Sequence, residues 1–201
     1  MKILTFDTKE DWLGARRGKI TGTRLKDIVS LRGINKKIGY YELIAERLGV
    51  PGDDENAMER GARLEPEAIE MFSKETGKSV DTTLAIWCRE DNESIALSPD
   101  GMISETEAIE AKCPSSARYI EALLTQEVPK EYQFQVLQYF VVNDDLQTLY
   151  MVFYDPRILA KPMFYLTITR DEVQEDVEKY LSYQNNTLKE VNDIVAQLSD
   201  F

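Results

Sequence analysis

Apolar and polar positions recur along this chain with two periods. "TKEDWLGARRG" (8–18) spaces its apolar residues as a short helix ending near Gly18, and "TGTRLKDIVS" (21–30) reads as a second, with Thr21 or Thr23 as N-cap. "GYYELIAERLGV" is a third helix closed by Gly49, and a long one follows from about Ala57 to Thr76, stopping at Gly77. The pattern then shortens to strand-like runs at about Val80–Cys88, Ser94–Leu97 and Ala108–Lys112. "SARYIEALLT" and "KEYQFQVLQYFVV" return to helical spacing. "QTLYMVFYD" and "MFYLTIT", rich in β-branched and aromatic residues, read as strands. From about Asp171 one long helix carries Val177, Leu181, Gln184, Leu188, Val191, Val195 and Leu198 at steps of three and four. That face packs on its own domain, with a contact between subunits as the alternative. The order of elements predicts one α/β or α+β domain over residues 1–201, with a central mixed sheet flanked by helices.

Composition narrows the classes. A chain of 201 residues with 43% hydrophobic and 30% charged residues can bury a sizeable core. No run approaches the roughly 20 apolar residues of a membrane span, and the first residues lack the apolar stretch of a secretory signal. Cys88 and Cys113, the only cysteines, make neither a disulfide framework nor a metal cluster, which suits a reducing compartment. The chain has no His, so its chemistry must come from carboxylates, Lys, Tyr, Ser, Thr or the cysteines.

A net charge of −12 argues against a nucleic-acid partner until its distribution is read. Trp12–Tyr41 holds eight basic residues, Arg16, Arg17, Lys19, Arg24, Lys26, Arg32, Lys36 and Lys37, and one acid, Asp27. A basic segment on an acidic body suits a local phosphate-binding surface; the alternative is a solvated face with no ligand.

"SPDGMISETEAIEAKCP" (98–114) concentrates the chemistry. Alternate strand residues share a face, so Glu110 and Lys112 point one way and Ile109 and Ala111 the other. Asp100, at a Pro-Asp-Gly turn, can sit beside Glu110 on a neighbouring strand. Two carboxylates held together repel unless a proton or cation is shared, and Mg²⁺ is the natural partner. A structural salt bridge between Glu110 and Lys112, or a solvated hairpin face, would leave the same pattern. Glu65 lies among Met58, Ala62, Ile69 and Phe72 on one helical face, where a bare carboxylate is costly. It is either half-exposed at the edge of that stripe or aimed at a cation shared with Asp100 and Glu110. Such a site with Lys112 beside it suits phosphodiester hydrolysis.

These motifs, "WLGARRGKITGT", "ERGARLEPEA", "SPDG", "IEAKCP", "YQFQVLQY" and "YDPR", occur in an order that resembles the lambda exonuclease family of phage recombination nucleases (YqaJ-type), within the PD-(D/E)XK nuclease superfamily. The resemblance implies that Asp100, Glu110 and Lys112 are the catalytic Asp, Glu and Lys, with the Ala111 carbonyl completing the metal shell and Glu65 supporting a second ion. Two Mg²⁺ ions are implied, with Mn²⁺ able to substitute. Gln135 matches a polar helix residue beside the lysine; Gln138 is the alternative in a shifted register, and Tyr132 would pack nearby. Arg16 and Thr23 match contacts to a 5′-phosphate, and Ser98 would complete that pocket. Thr21, Arg17 and Lys19 add to the same surface, although Arg17 stands where the family commonly has an apolar residue. Met58 matches an apolar wedge that unpairs the DNA end, or else packs in the core.

The activity implied is a processive 5′→3′ exonuclease. It would degrade one strand of linear duplex DNA from a 5′-phosphorylated end and leave 3′ overhangs for single-strand annealing. The partners implied are DNA ends, further copies of the chain in a ring-shaped trimer, and an annealing protein, in the cytoplasm of a bacterial host and with no membrane. The competing readings are another PD-(D/E)XK nuclease, an endonuclease or RecB-like enzyme, and a non-catalytic DNA-end binding module. An iron–sulfur member needs more cysteines than two.

Overall fold

The computed structural model of the chain describes Thr8, Glu10, Asp11, Gly14, residues 36–52 and residues 56–199. The first two expected helices fall largely outside them. The described elements run α1 (Ile38–Arg47), α2 (Ala57–Thr76), β1 (Trp87–Cys88), β2 (Ala96–Leu97), β3 (Gly101–Ser104), β4 (Glu107–Lys112), α3 (Ser116–Thr125), a 3₁₀ turn (Lys130–Tyr132), α4 (Gln133–Val142), β5 (Thr148–Tyr154), β6 (Met163–Thr169) and α5 (Arg170–Ser199). Strands β3-β4-β5-β6 form a mixed four-stranded sheet in that order, and β1 pairs with β2 in a separate hairpin. The mixed α/β architecture expected from the sequence is therefore present. No described helix is long and apolar enough to cross a membrane.

The fold gathers into two compact units, each built from separated stretches of chain. One takes the described residues up to Pro66 with Cys113–Glu127 and Phe153–Phe164; the other takes Glu67–Lys112, Val128–Val152 and residues from Tyr165 on. In the first, α1 packs on α3, burying Tyr41 and Leu43 on one helix and Ala117 and Ile120 on the other. Phe153 stacks on Phe164 with ring centroids 5.0 Å apart. Ser115 caps α3, its hydroxyl accepting from the Arg118 N–H. In the second, the sheet's interior strands bury Ile109, Leu149, Met151 and Val152, and Phe72 packs its ring against Tyr150 and Tyr165.

Two local differences from the sequence pattern have physical causes. The run Val80–Cys88 is not one strand. Asp81 exchanges both main-chain hydrogen bonds with Met102, then turns its carboxylate to accept the Thr83 N–H at 2.9 Å. That side-chain bond offers the backbone an alternative to a ladder, and pairing resumes only at Trp87. On α2 the buried stripe runs Arg60, Leu64, Ala68, Phe72 with Ile69 beside it, while Met58 and Ala62 are exposed. Glu65 flanks this stripe, half-buried, rather than standing at its centre.

The second unit holds α4 firmly at its C-terminal end. Arg170 donates to the carbonyls of Phe140, Asn143 and Leu146 at 3.0, 2.5 and 2.8 Å. Arg89 donates to the Val141 carbonyl and grips Asp144 through two bonds of 2.8 Å. Carbonyls at a helix C-terminus lack partners within the helix, so two guanidinium groups both satisfy them and fix the helix in place.

Candidate active site

The β3–β4 hairpin brings the chemistry of residues 98–114 together. Its strands are antiparallel with Gly101 opposite Ile109, so Asp100, one residue before β3, falls beside Glu110 on β4. Gly101 is required at this corner. A Cβ there would come within 2.5 Å of the Val80 side chain and 2.9 Å of that of Ile109. The Pro-Asp-Gly sequence thus marks the close approach that sets the two acids side by side, and β3, which the sequence pattern left unassigned, is the strand that follows it. Asp100 Oδ2 accepts the Ala111 N–H at 2.8 Å, which fixes its carboxylate against the neighbouring strand.

Glu110 is fully buried, because β4 is an interior strand whose residues Ala108–Ala111 are all covered. The expected alternation of an apolar and an open polar face is thus replaced by burial on both. One Glu110 oxygen pairs with the Lys112 ammonium; the other accepts the Tyr139 hydroxyl at 2.5 Å. Lys112 is the more open member, its side chain 18% exposed, and its Nζ lies 5.4 Å from the centre of the Tyr132 ring. Glu110 and Lys112 do share a face and do form a salt bridge. That bridge does not account for Asp100, which adds a second negative charge to the same place.

The electrostatics register the crowding. The Glu110 carboxyl is pushed up to about 7, first by burial and next by the charge of Asp100, against the lowering influence of Lys112 and Tyr139. Burial and then Glu110 itself raise Tyr139, which stays a protonated donor. This donor set fits a hard divalent cation: the groups are oxygens, and the acid pair carries more negative charge than Lys112 offsets. Among the described residues no three Asp, Glu, His or Cys side chains converge closely enough to hold an ion. Such an ion would draw on this pair and on main-chain or solvent oxygens, the mixed shell that Mg²⁺ favours.

The other expected residues are placed as follows. Glu65 is half-buried on α2, and Met58, near the start of that helix, is 83% exposed. Ser98 is exposed two residues before Asp100. Gln135 lies half-buried on α4. The Gln138 amide donates to the Ala96 carbonyl at 3.1 Å and exchanges bonds of 3.2 and 2.9 Å with Gln184. Arg16, Arg17, Lys19, Thr21 and Thr23 lie outside the described residues. Tyr139, which meets both acids, was not legible in the sequence. Its aromatic neighbours along "YQFQVLQYFVV" share its helical pattern, and only the contact across the hairpin sets it apart.

Residues 11–145, well over half of the chain, match the YqaJ-like viral recombinase domain. The chain belongs to that family. The crystal structure of an alkaline exonuclease, LHK-Exo from Laribacter hongkongensis, aligns with 94% of this chain and 100% of its own, at 28% identity and a TM-score of 0.57. LHK-Exo in complex with dAMP aligns over the same shares at 29% identity and a TM-score of 0.56. No curated protein matches the chain. The resemblance read from the motifs is thus borne out at the level of family and fold: this YqaJ-like chain has alkaline exonucleases among its structural relatives.

Proposed function

We propose that this chain is a metal-dependent deoxyribonuclease that digests one strand of linear duplex DNA from a 5′-phosphorylated end, in the 5′→3′ direction, leaving 3′ tails for annealing. The observation that carries the reading is the meeting of Asp100, Glu110 and Lys112 at one hairpin in a YqaJ-like chain. The Asp100 and Glu110 carboxylates and the Ala111 carbonyl would hold Mg²⁺, or Mn²⁺ in its place, with Glu65 supporting a second ion. When bound, the cation supplies Lewis acidity at the phosphate and lowers the pKa of a water. Lys112, the more open member of its pair with Glu110, offsets charge developing on the phosphate or orients the attacking water. Water's oxygen bonds to phosphorus, the P–O3′ bond breaks, and the leaving 3′ oxygen takes a proton. The product is a 5′-mononucleotide, a class that the dAMP complex of LHK-Exo supports. The engagement of the Gln138 amide by Ala96 and Gln184 supports Gln135 as the site glutamine.

End recognition falls to Arg16, Thr23 and Ser98, with Thr21, Arg17 and Lys19 adding charge and hydrogen bonds to the same pocket. The exposure of Met58 suits a wedge against the terminal base pair better than a core position. At −12 per chain a lone copy should bind DNA poorly. A ring-shaped trimer, with Trp12–Tyr41 lining it, would confine positive charge to a channel and give processivity by topology. An annealing protein of the same recombination system would receive the 3′ tail, in a bacterial host's cytoplasm. Residues 1–201 act as one nuclease domain in this reading, since each compact unit draws on separated stretches of chain.

The test is digestion of linear and closed circular duplex with Mg²⁺, each strand end-labelled in turn. Shortening from 5′ ends of linear DNA alone is expected. Cutting of the circle would point to an endonuclease, and binding without any cleavage would overturn the enzymatic reading.

A further inference from the structure

We propose that Tyr139 is a positioning residue of this site: its hydroxyl ties the Asp100 main chain to the Glu110 carboxylate and so sets the spacing of the two acids. The inference rests on the nuclease reading above and extends it to a residue that touches neither substrate nor ion.

The geometry begins with the helix. Tyr139 is on α4 and is fully buried. Its ring meets Trp87 edge-on, centroids 5.9 Å apart, and the helix is clamped a few residues on by Arg89 and Arg170. The ring therefore has little freedom, and its hydroxyl arrives at the hairpin from a fixed direction. A phenol offers one donor and accepts in return. The donor goes to Glu110 Oε2 at 2.5 Å, a charge-assisted bond. The acceptor takes the Asp100 N–H at 3.2 Å. The Ile109 carbonyl, 3.2 Å from the hydroxyl, is the more distant acceptor for the hydroxyl proton.

These bonds close a cycle. Tyr139 holds the Asp100 main chain, the Asp100 carboxylate holds the Ala111 N–H at 2.8 Å, and the adjacent Glu110 holds Tyr139. Asp100 stands just before β3, where the ladder gives it no partner. Without the phenol oxygen its N–H would lose this anchor and its carboxylate would hang from the single bond to Ala111. Glu110 would keep Lys112 but lose the bond that orients its second oxygen. Since the repulsion between the acids favours their separation, a hydroxyl bonded to the Glu110 carboxylate and to the Asp100 main chain holds the two residues at the spacing one cation would bridge. Groups that orient ligands in this way typically change metal affinity by about 10–100-fold when removed.

Calorimetric titration of the full chain with Mn²⁺, in parallel with thermal unfolding, tests this. Tyr139→Phe should weaken Mn²⁺ binding by about tenfold or more. It should lower kcat on linear duplex similarly and leave the KM for DNA unchanged, because the phenol does not reach the substrate. Trp87→Phe trims the packing of the ring but spares all of its hydrogen bonds. It should keep wild-type Mn²⁺ affinity while lowering the unfolding midpoint. Wild-type affinity in Tyr139→Phe, with a lowered midpoint, would reduce Tyr139 to a packing residue and overturn the inference. Absence of Mn²⁺ binding by the unaltered protein would instead defeat the nuclease reading on which it rests. Amide exchange of Asp100 in the unaltered protein needs no variant: slow exchange is expected, and exchange as fast as in an open loop would overturn the bond to Tyr139.

Discussion

Glu110 and Asp155 are both carboxylates with no exposed surface, and the structure treats them in opposite ways. Asp155 accepts the Ser116 hydroxyl at 2.5 Å, the Arg157 N–H at 3.0 Å and two bonds from the Arg157 guanidinium at 2.9 and 3.0 Å; the Arg60 guanidinium stands 3.4 Å away. Burial alone would raise its pKa, but Arg157 and Ser116 outweigh burial and hold it below the usual carboxylate range. Glu110 has one ammonium, one phenol and a second carboxylate for neighbours, and is pushed up to about 7. Asp155 is met by two guanidinium groups and a hydroxyl, whereas Glu110 shares its one ammonium with a second acid. A buried acid surrounded by enough cations is a brace. A buried acid set against another acid is under-compensated, which is a use of stability that makes sense where a cation is to be bound.

The largest expected effect is on turnover. Asp100→Ala, Glu110→Ala and Lys112→Ala should each reduce exonuclease turnover by about a hundredfold to a thousandfold or more, as loss of a transition-state charge partner does. The proteins should remain folded and able to bind DNA ends. Near-normal turnover in Lys112→Ala would erase the distinction between the two acids, making Glu110–Lys112 another structural salt bridge.

Next come the opposite effects of neutralising each acid on stability. Asp155→Asn strands guanidinium groups gathered around a missing charge, which typically costs about 3–5 kcal/mol. In a chain of this size the unfolding midpoint should drop by on the order of 10 °C. Glu110→Gln removes a charge that repels Asp100, so without metal its midpoint should stay level or rise. A drop in Glu110→Gln as large as that in Asp155→Asn would show that both acids are braces.

How much of this was legible follows the range of the interactions. The ends of α2, the run Glu107–Lys112 and the pairing of Asp100 with Glu110 rest on local pattern and on a Pro-Asp-Gly corner, and the sequence contains all of that. The break after Asp81 was also local, but it turned on a side-chain bond to Thr83 that apolar periodicity does not record. The stripe on α2 was misplaced because Met58 and Ala62 fit the helical period, yet a buried Arg60 takes the face an apolar residue would mark. Tyr139 and Asp155 were out of reach for a different reason. Tyr139 takes its role from Glu110, 29 residues away, and Asp155 joins Arg157, two residues on within "YDPR", to Ser116, 39 residues away; nothing in the spacing of "YQFQVLQY" or "YDPR" names those distant partners.

A smaller effect tests the compensation directly. If the acid pair binds a cation, Mg²⁺ should raise the unfolding midpoint of the unaltered protein by mass action, worth about 2.7 kcal/mol at a hundredfold excess over Kd. Asp100→Ala should lose that response, while Asp155→Asn, though less stable, should keep it. An equal response in all three proteins would mean that Mg²⁺ acts elsewhere on the acidic surface.

The smallest effect is on pH. The Asp155 pKa is lowered in the folded state, so the unfolded chain binds its proton first as pH falls. The stabilisation is therefore fully present above the unfolded carboxylate value, about 3.9, and is lost as pH falls through the lower folded value. Unfolding midpoints measured from about pH 6 to pH 3 should fall at the acid end in the unaltered protein. In Asp155→Asn the starting midpoint is lower, but this part of the acid slope should be missing, because an amide has no proton to gain. The difference between the two curves, rather than either alone, isolates the brace, since every other carboxylate contributes to both. Parallel curves would mean that Arg157 and Ser116 hold the Asp155 side chain by geometry without favouring its charge, and the contrast with Glu110 would then rest on the second acid alone.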